Sequence, residues 1–161
     1  VKANVNRNTR LIALVGLLAA IKVVTTVALA PISYGPVQMR IANIIDLSAF
    51  YFGPFAVVAN TLASVIINML GSNGLPDILL GLIQTPIVGY VVWKCRNQWV
   101  GGLLFTVISA MGVATMLHYV IGLPWVTMAL TVGAGQLASV VIGIPVLQIL
   151  DKRLNLRKYR V

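Results

Sequence analysis

The sequence predicts an all-α integral membrane protein, with six transmembrane helices in one bundle. Three observations predict it. Hydrophobic residues make up 59% of the chain and charged residues only 9%, where a soluble domain carries about 25% charged residues. Mean hydropathy is +0.95, and a chain of 161 residues has too little interior to hide so much apolar surface from water. Six apolar stretches approach the ~20 residues that a helical span needs, and most are separated by Gly and Pro breakers. Barrel strands would alternate apolar and polar residues, which no stretch does.

The first stretch, 11–30, is too long for the core of a signal peptide and reads as a permanent span. Pro31 and Gly35-Pro36 end it. The second, 37–53, is short and carries both Arg40 and Asp46; alone it would suit a re-entrant segment. Gly53-Pro54 opens the third, 54–71. Gly71 to Pro76 leads into the fourth, 75–93. Gly101-Gly102 opens the fifth, 101–121, and Gly122 to Pro124 leads to the sixth, 124–150. The expected organisation is a single domain over 1–161, with short basic tails at 1–10 and 151–161. No internal repeat of 20–50 residues is present.

Charge orients these spans. Lys2, Arg7 and Arg10 precede the first; Lys94 and Arg96 lie between the fourth and fifth; Lys152, Arg153, Arg157, Lys158 and Arg160 follow the sixth. The links on the opposite side carry no base. Ten of twelve bases on one side place both termini in the cytoplasm, and the basic C-terminal tail would attract anionic lipid. The net charge of +9 therefore points to a membrane rather than to nucleic acid.

Several chemistries lack their residues. There is no GxxxxGK[ST] phosphate loop, no HExxH, and one His cannot build a His-rich metal site. Cys95 is the lone cysteine, which excludes a disulfide framework or a CxxC motif. Ser109 and His118 share a span, but no strained GxSxG-type turn presents the serine. Asp46, Asp77 and Asp151 are the only acids, and Asp46 and Asp77 fall at different depths, unlike a proton-sharing pair. The expectation is binding or transport rather than catalysis, with no cofactor, metal or nucleic acid.

Ionisable and amide groups inside lipid are costly and are site candidates by default. Lys22 and Asp46 can offset each other's cost as a pair, or Lys22 can face a ligand. Arg40 can snorkel to the outer surface or cap a pocket beneath the 31–37 loop, which bears Tyr34, Pro and Gly rather than charge. Asn60, Ser64 and Asn68 recur at i, i+4 and i+8 on one helix face. Asn60 and Ser64 are expected to bond neighbouring helices, whereas Asn68, nearer the outer end, can reach a ligand. Gln84 and Gln136 sit mid-span and need partners. His118, Tyr119 and Trp125 flank the outer turn between the last two spans, as an interfacial aromatic belt would. Asp77 follows Pro76 and reads as a helix N-cap. Ala13, Gly16 and Ala20 form a small-residue face on the first span, half a turn from Lys22, where another helix could approach closely.

The segment Ala30-Pro31-Ile32-Ser33-Tyr34-Gly35-Pro36-Val37-Gln38-Met39-Arg40 resembles the QueT family, substrate-binding (S) subunits of energy-coupling factor transporters assigned to uptake of queuosine precursors. The likeness continues in Gly74-Leu75-Pro76-Asp77-Ile78-Leu79-Leu80-Gly81 and, more weakly, in Gly133 to Leu137 and Gly143-Ile144-Pro145. The resemblance implies a six-helix subunit in a prokaryotic plasma membrane that binds a small molecule from outside. It also implies partners: a transmembrane coupling subunit and two cytoplasmic ATP-binding cassette ATPases, which would explain the missing phosphate loop. The face of Ala13, Gly16 and Ala20 resembles the docking surface of such subunits.

The chain departs from the family pattern in three places. Ala42 and Asn43 stand where the family has Ser-Glu, Gly135-Gln136 where it has Gly-Glu, and Lys22 where an aromatic residue is expected. Amides pair with a neutral base edge but cannot neutralise a cation, so a neutral deazapurine fits better than a cationic precursor. The expected substrate site comprises Arg40, Asn43, Gln84, Gln136, Asn68, Lys22, Tyr34 and Trp125, with the 31–37 loop as lid. The alternatives are a proton-coupled carrier using Asp46, an S subunit for another micronutrient, including an anionic one facing Lys22, and a small membrane scaffold without a substrate.

Overall fold

In a computed structural model of the chain, the described residues are 2–30, 41–71 and 74–156, and among them there is no strand. Helix α1 is Lys2–Ala28. A 3-10 stretch, Ile41–Ser48, runs into the short α2, Ala49–Phe52. Then follow α3, Pro54–Leu70, α4, Leu75–Lys94, α5, Gln98–Ile121, and α6, Trp125–Leu154.

The boundaries follow local chemistry. Gly53, at φ 56°, turns the chain between α2 and α3, and Pro54 occupies the first helical position, where its missing N–H costs nothing. Gly122, at φ 76°, closes α5 in a left-handed cap whose N–H donates to the carbonyls of His118 and Leu117. Asn97 caps α5 by accepting from the Trp99 N–H at 2.9 Å. Asp77 is not the cap of α4: Gly74 holds that position, and Asp77 is the third residue of the helix. The segment expected as a basic N-terminal tail is helical from Lys2. Residues 2–10 hold no Gly or Pro, so a helix nucleated in the apolar run propagates through them.

Among the described residues, three helices are long and apolar enough to cross a bilayer: Leu75–Lys94, Gln98–Ile121 and Trp125–Arg153. The apolar parts of the first three segments are shorter: Ile12–Ala28, Ile41–Phe52 and Pro54–Leu70. At the usual rises, Ile41–Phe52 covers roughly 22 Å, less than the ~30 Å of a hydrocarbon core. Its setting explains how irregular backbone is tolerated there. The 3-10 stretch packs against α1, α3, α4, α5 and α6, and all four residues of α2 are buried. Such backbone survives at membrane depth only when encased in protein.

Phe50, Tyr51 and Phe52 anchor the hydrophobic core with Val92, Phe105, Ile144 and Leu147. Missing side chains allow close helix approach: a Cβ at Gly102 would strike Val140, and one at Gly89 would press on Val57. The outward faces carry Ile12, Leu17, Val24, Leu82, Ile83, Leu130 and Ile142, all exposed. A surface so apolar is suited to lipid rather than water.

Candidate functional site

The polar stripe of α3 is the starting point. Asn60, Ser64 and Asn68 are all buried, and all three line one cleft with about 560 Å³ of atom-free space, open mouth included. The 3-10 stretch contributes Asn43 and Asp46. Helix α4 contributes Asp77, Gly81, Gln84, Thr85 and Val88; α5 contributes Phe105 and Ser109; α6 contributes Gln136. Asn68 and Asp77 lie on the cleft where α3 ends and α4 begins. Asn60, about two helical turns back along α3 from Asn68, lies at the other end of the lining, here called the floor.

Lys22 reaches this floor from α1. It is 2% exposed, and its Nζ donates to Asp46 Oδ1 at 2.6 Å, to Ser64 Oγ at 2.9 Å and to the Asn60 carbonyl at 3.5 Å. The ammonium carries three donors, and these three oxygens receive them. Ion pairing offsets the charge of Asp46 within the bundle. Lys22 is not itself among the lining residues; it stands behind Asp46 and Ser64.

Four carboxamides shape the rest. Asn43 Nδ2 donates to Gln136 Oε1 at 2.9 Å, joining residues 93 positions apart. Gln84 Nε2 donates to the Ile108 carbonyl at 2.7 Å, and Asn68 Nδ2 to the Asp77 carbonyl at 2.7 Å. Two glycines clear the way. A Cβ at Gly112 would collide with the Gln84 amide, and one at Gly81 with the Asn68 amide. Amides offer both donors and acceptors, so these walls suit a hydrogen-bonding heterocycle, and Asp46 and Asp77 add two carboxylates to the same cleft.

Of the expected site residues, Asn43, Asn68, Gln84 and Gln136 come together on the cleft, with Lys22 one layer behind. Arg40, Tyr34 and the 31–37 lid lie outside the described residues. Trp125 does not join the cleft: its indole N–H donates to Thr115 Oγ1 at 3.1 Å, and His118 Nδ1 lies 2.8 Å from the Leu123 carbonyl at the same turn. Asn60 and Ser64 bond neighbouring elements as expected, Asn60 Nδ2 donating to the Ile45 carbonyl at 3.3 Å. They also line the cleft, which the sequence reading missed. The i, i+4, i+8 spacing with Asn68 was the signal that could have placed all three together. Asp77, Thr85 and Ser109 were missed as lining residues too.

The face of Ala13, Gly16 and Ala20 is exposed. No neighbouring atom lies within 4 Å of where a Gly16 Cβ would be. Leu14 and Leu18 pack on the core instead, and Lys22 and Thr26 are buried. Spaced four apart, these form the inward face of α1.

The comparisons with known proteins agree with a transporter. The chain is 27% identical to the queuosine precursor transporter QueT of Lactococcus lactis subsp. cremoris, in an alignment covering 89% of this chain and 94% of that protein. No solved structure matches it. The model of the QueT transporter family matches residues 12–152, so the chain belongs to the QueT transporter family.

Proposed function

We infer that this protein is the substrate-binding subunit of an energy-coupling factor importer, taking a queuosine precursor of the 7-deazaguanine type. One observation carries the reading: four carboxamides, Asn43, Asn68, Gln84 and Gln136, meet on one cleft in a chain of this transporter family. The relative's name supports the substrate class. The amide walls suit the edge of a base, because amides both donate and accept hydrogen bonds. Arg40 and Tyr34 remain substrate-binding candidates on the sequence alone.

Uptake would proceed with partners. The exposed face of Ala13, Gly16 and Ala20 is where a transmembrane coupling subunit would dock. Two ATPases would supply the energy that a chain without a phosphate loop cannot. Both termini would be cytoplasmic, as the flanking bases indicate, and the membrane would be a prokaryotic plasma membrane.

The test is reconstitution. Purified protein alone in liposomes should bind 7-deazaguanine without accumulating it, and accumulation should require the coupling subunit, the ATPases and ATP. Uptake by the protein alone would favour a self-contained carrier. Mass spectrometry of small molecules that co-purify with the protein should show a 7-deazaguanine; another micronutrient there would reassign the substrate.

A further inference from the structure

Asn43 and Gln136 are bound to each other and left half satisfied. Asn43, on the 3-10 stretch, is 8% exposed and Gln136, on α6, 6%, and both line the cleft. Asn43 Nδ2 donates to Gln136 Oε1 at 2.9 Å. The reciprocal bond, from Gln136 Nε2 back to Asn43 Oδ1, is not made, and neither atom has another hydrogen-bond partner among the described residues. Neither is sealed in the way that Ser48 Oγ and Asn60 Oδ1 are. On residues this buried, what remains accessible is the side that borders the cleft. A low-dielectric interior penalises polar groups left without a partner. A hydroxyl on α5 shows the same provision. Thr106 and Ser139 turn theirs to the carbonyl four residues back, at 3.0 and 3.1 Å. Ser109, which also lines the cleft, makes no such bond and is not sealed either.

We propose that the Asn43–Gln136 pair reads the lactam edge of the ligand, the carbonyl oxygen and the adjacent ring N–H of a 7-deazaguanine. This rests on the 7-deazaguanine reading above and names the edge that is read and the residues that read it. The pair keeps one acceptor and one donor, and the hydrogen bond between the two amides makes them neighbours. A cyclic amide presents the complement, an acceptor oxygen beside a donor N–H. Turning both amides over exchanges their roles and still leaves one donor and one acceptor, so the match holds in either orientation. The ring supplies the two bonds that the pair does not make within the protein. The exocyclic amino group takes no part in this match.

The experiment compares 7-deazaguanine with 2-amino-6-chloro-7-deazapurine in equilibrium binding to the purified protein. The analogue keeps the ring system and the amino group but has neither the carbonyl oxygen nor the adjacent N–H. The wild type should bind it about tenfold more weakly or worse, as sites built to bond a polar group reject analogues lacking it. The double variant Asn43→Leu/Gln136→Leu should weaken 7-deazaguanine binding and narrow the gap between the two bases to about twofold or less. Equal affinity of the two bases for the wild type would overturn the role of the pair while leaving the 7-deazaguanine reading intact. A gap that persists in the double variant would overturn it too, and would make the pair a fastening between the 3-10 stretch and α6. Failure of the wild type to bind 7-deazaguanine would overturn both readings. Should the double variant not fold, Asn43→Leu and Gln136→Leu should each narrow the gap below about fivefold, and a full gap in both would overturn the proposal.

Discussion

The bundle has two unlike ends. Toward the basic end, Phe50, Tyr51, Phe52, Val92, Ile144 and Leu147 fill the interior. Toward the end where α3 gives way to α4, the same helices line a cleft with amides, hydroxyls and carboxylates, about 560 Å³ of atom-free space with its open mouth included. Lipid supplies little hydrophobic drive for helix association, so van der Waals contact must hold such a bundle together. The packed end makes that contact, and the cleft end forgoes part of it to leave room for an occupant. Lys22 stands at the boundary, fastening α1 to the floor of the cleft by an ion pair.

Breaking that boundary should have the largest effect. Lys22→Met leaves Asp46 buried without its cation and should destabilise the protein by about 3–5 kcal/mol, read as a fall in thermal unfolding temperature. Adding Asp46→Leu should restore much of the loss; a double variant as unstable as the single would show that the pair is not the fastening. Next, Phe50→Ala should cost about 3 kcal/mol through the cavity it leaves in the packed end. Its affinity for 7-deazaguanine should stay unchanged once the variant is folded, and a matching loss of affinity would erase the distinction between the two ends.

The converse variants lie in the cleft. Gln136→Leu and Asn43→Leu should each weaken ligand binding by about 1–3 kcal/mol, measured by titration, with a smaller shift in unfolding temperature than Phe50→Ala. Unchanged affinity in both would remove that amide pair from the site. The smallest effect on stability belongs to the outer face of α1. A Cβ at Gly16 would have no neighbouring atom within 4 Å, so Gly16→Leu should change stability by less than about 0.5 kcal/mol. It should nevertheless abolish co-purification with the coupling subunit while ligand binding persists; a complex that survives would free this face of a docking role.

How much was legible depended on how local each signal was. The helix breaks were legible because Gly53, Pro54, Gly122 and Pro124 act within a few residues of themselves. The α3 stripe was legible as a period, but its two duties were not. Spacing shows that Asn60, Ser64 and Asn68 share a face, and only the neighbouring helices show that this face borders a cleft. Gly81 and Gly112 look like ordinary small residues in apolar helices; their purpose appears only with the Asn68 and Gln84 amides lying over them. Asp77 followed a helix-starting proline and read as a cap, yet Gly74 takes that position and Asp77 turns up on the cleft.

The sequence by itself determined the solvent, the helical class and the placement of most helix ends. These follow from composition, from the need of every backbone group for a partner in lipid, and from residues acting on their own turn. It also indicated that isolated charges such as Lys22 and Asp46 would need each other or a ligand. Tertiary structure decided the rest. That Asn43 meets Gln136 across 93 positions, that Trp125 spends its indole N–H on Thr115, and that Ile41–Ser48 forms a short 3-10 stretch at the centre of the bundle all depend on which helix faces come together. Lipid-embedded helices choose their faces by close packing and polar pairing between distant segments, and no window of the sequence contains both partners.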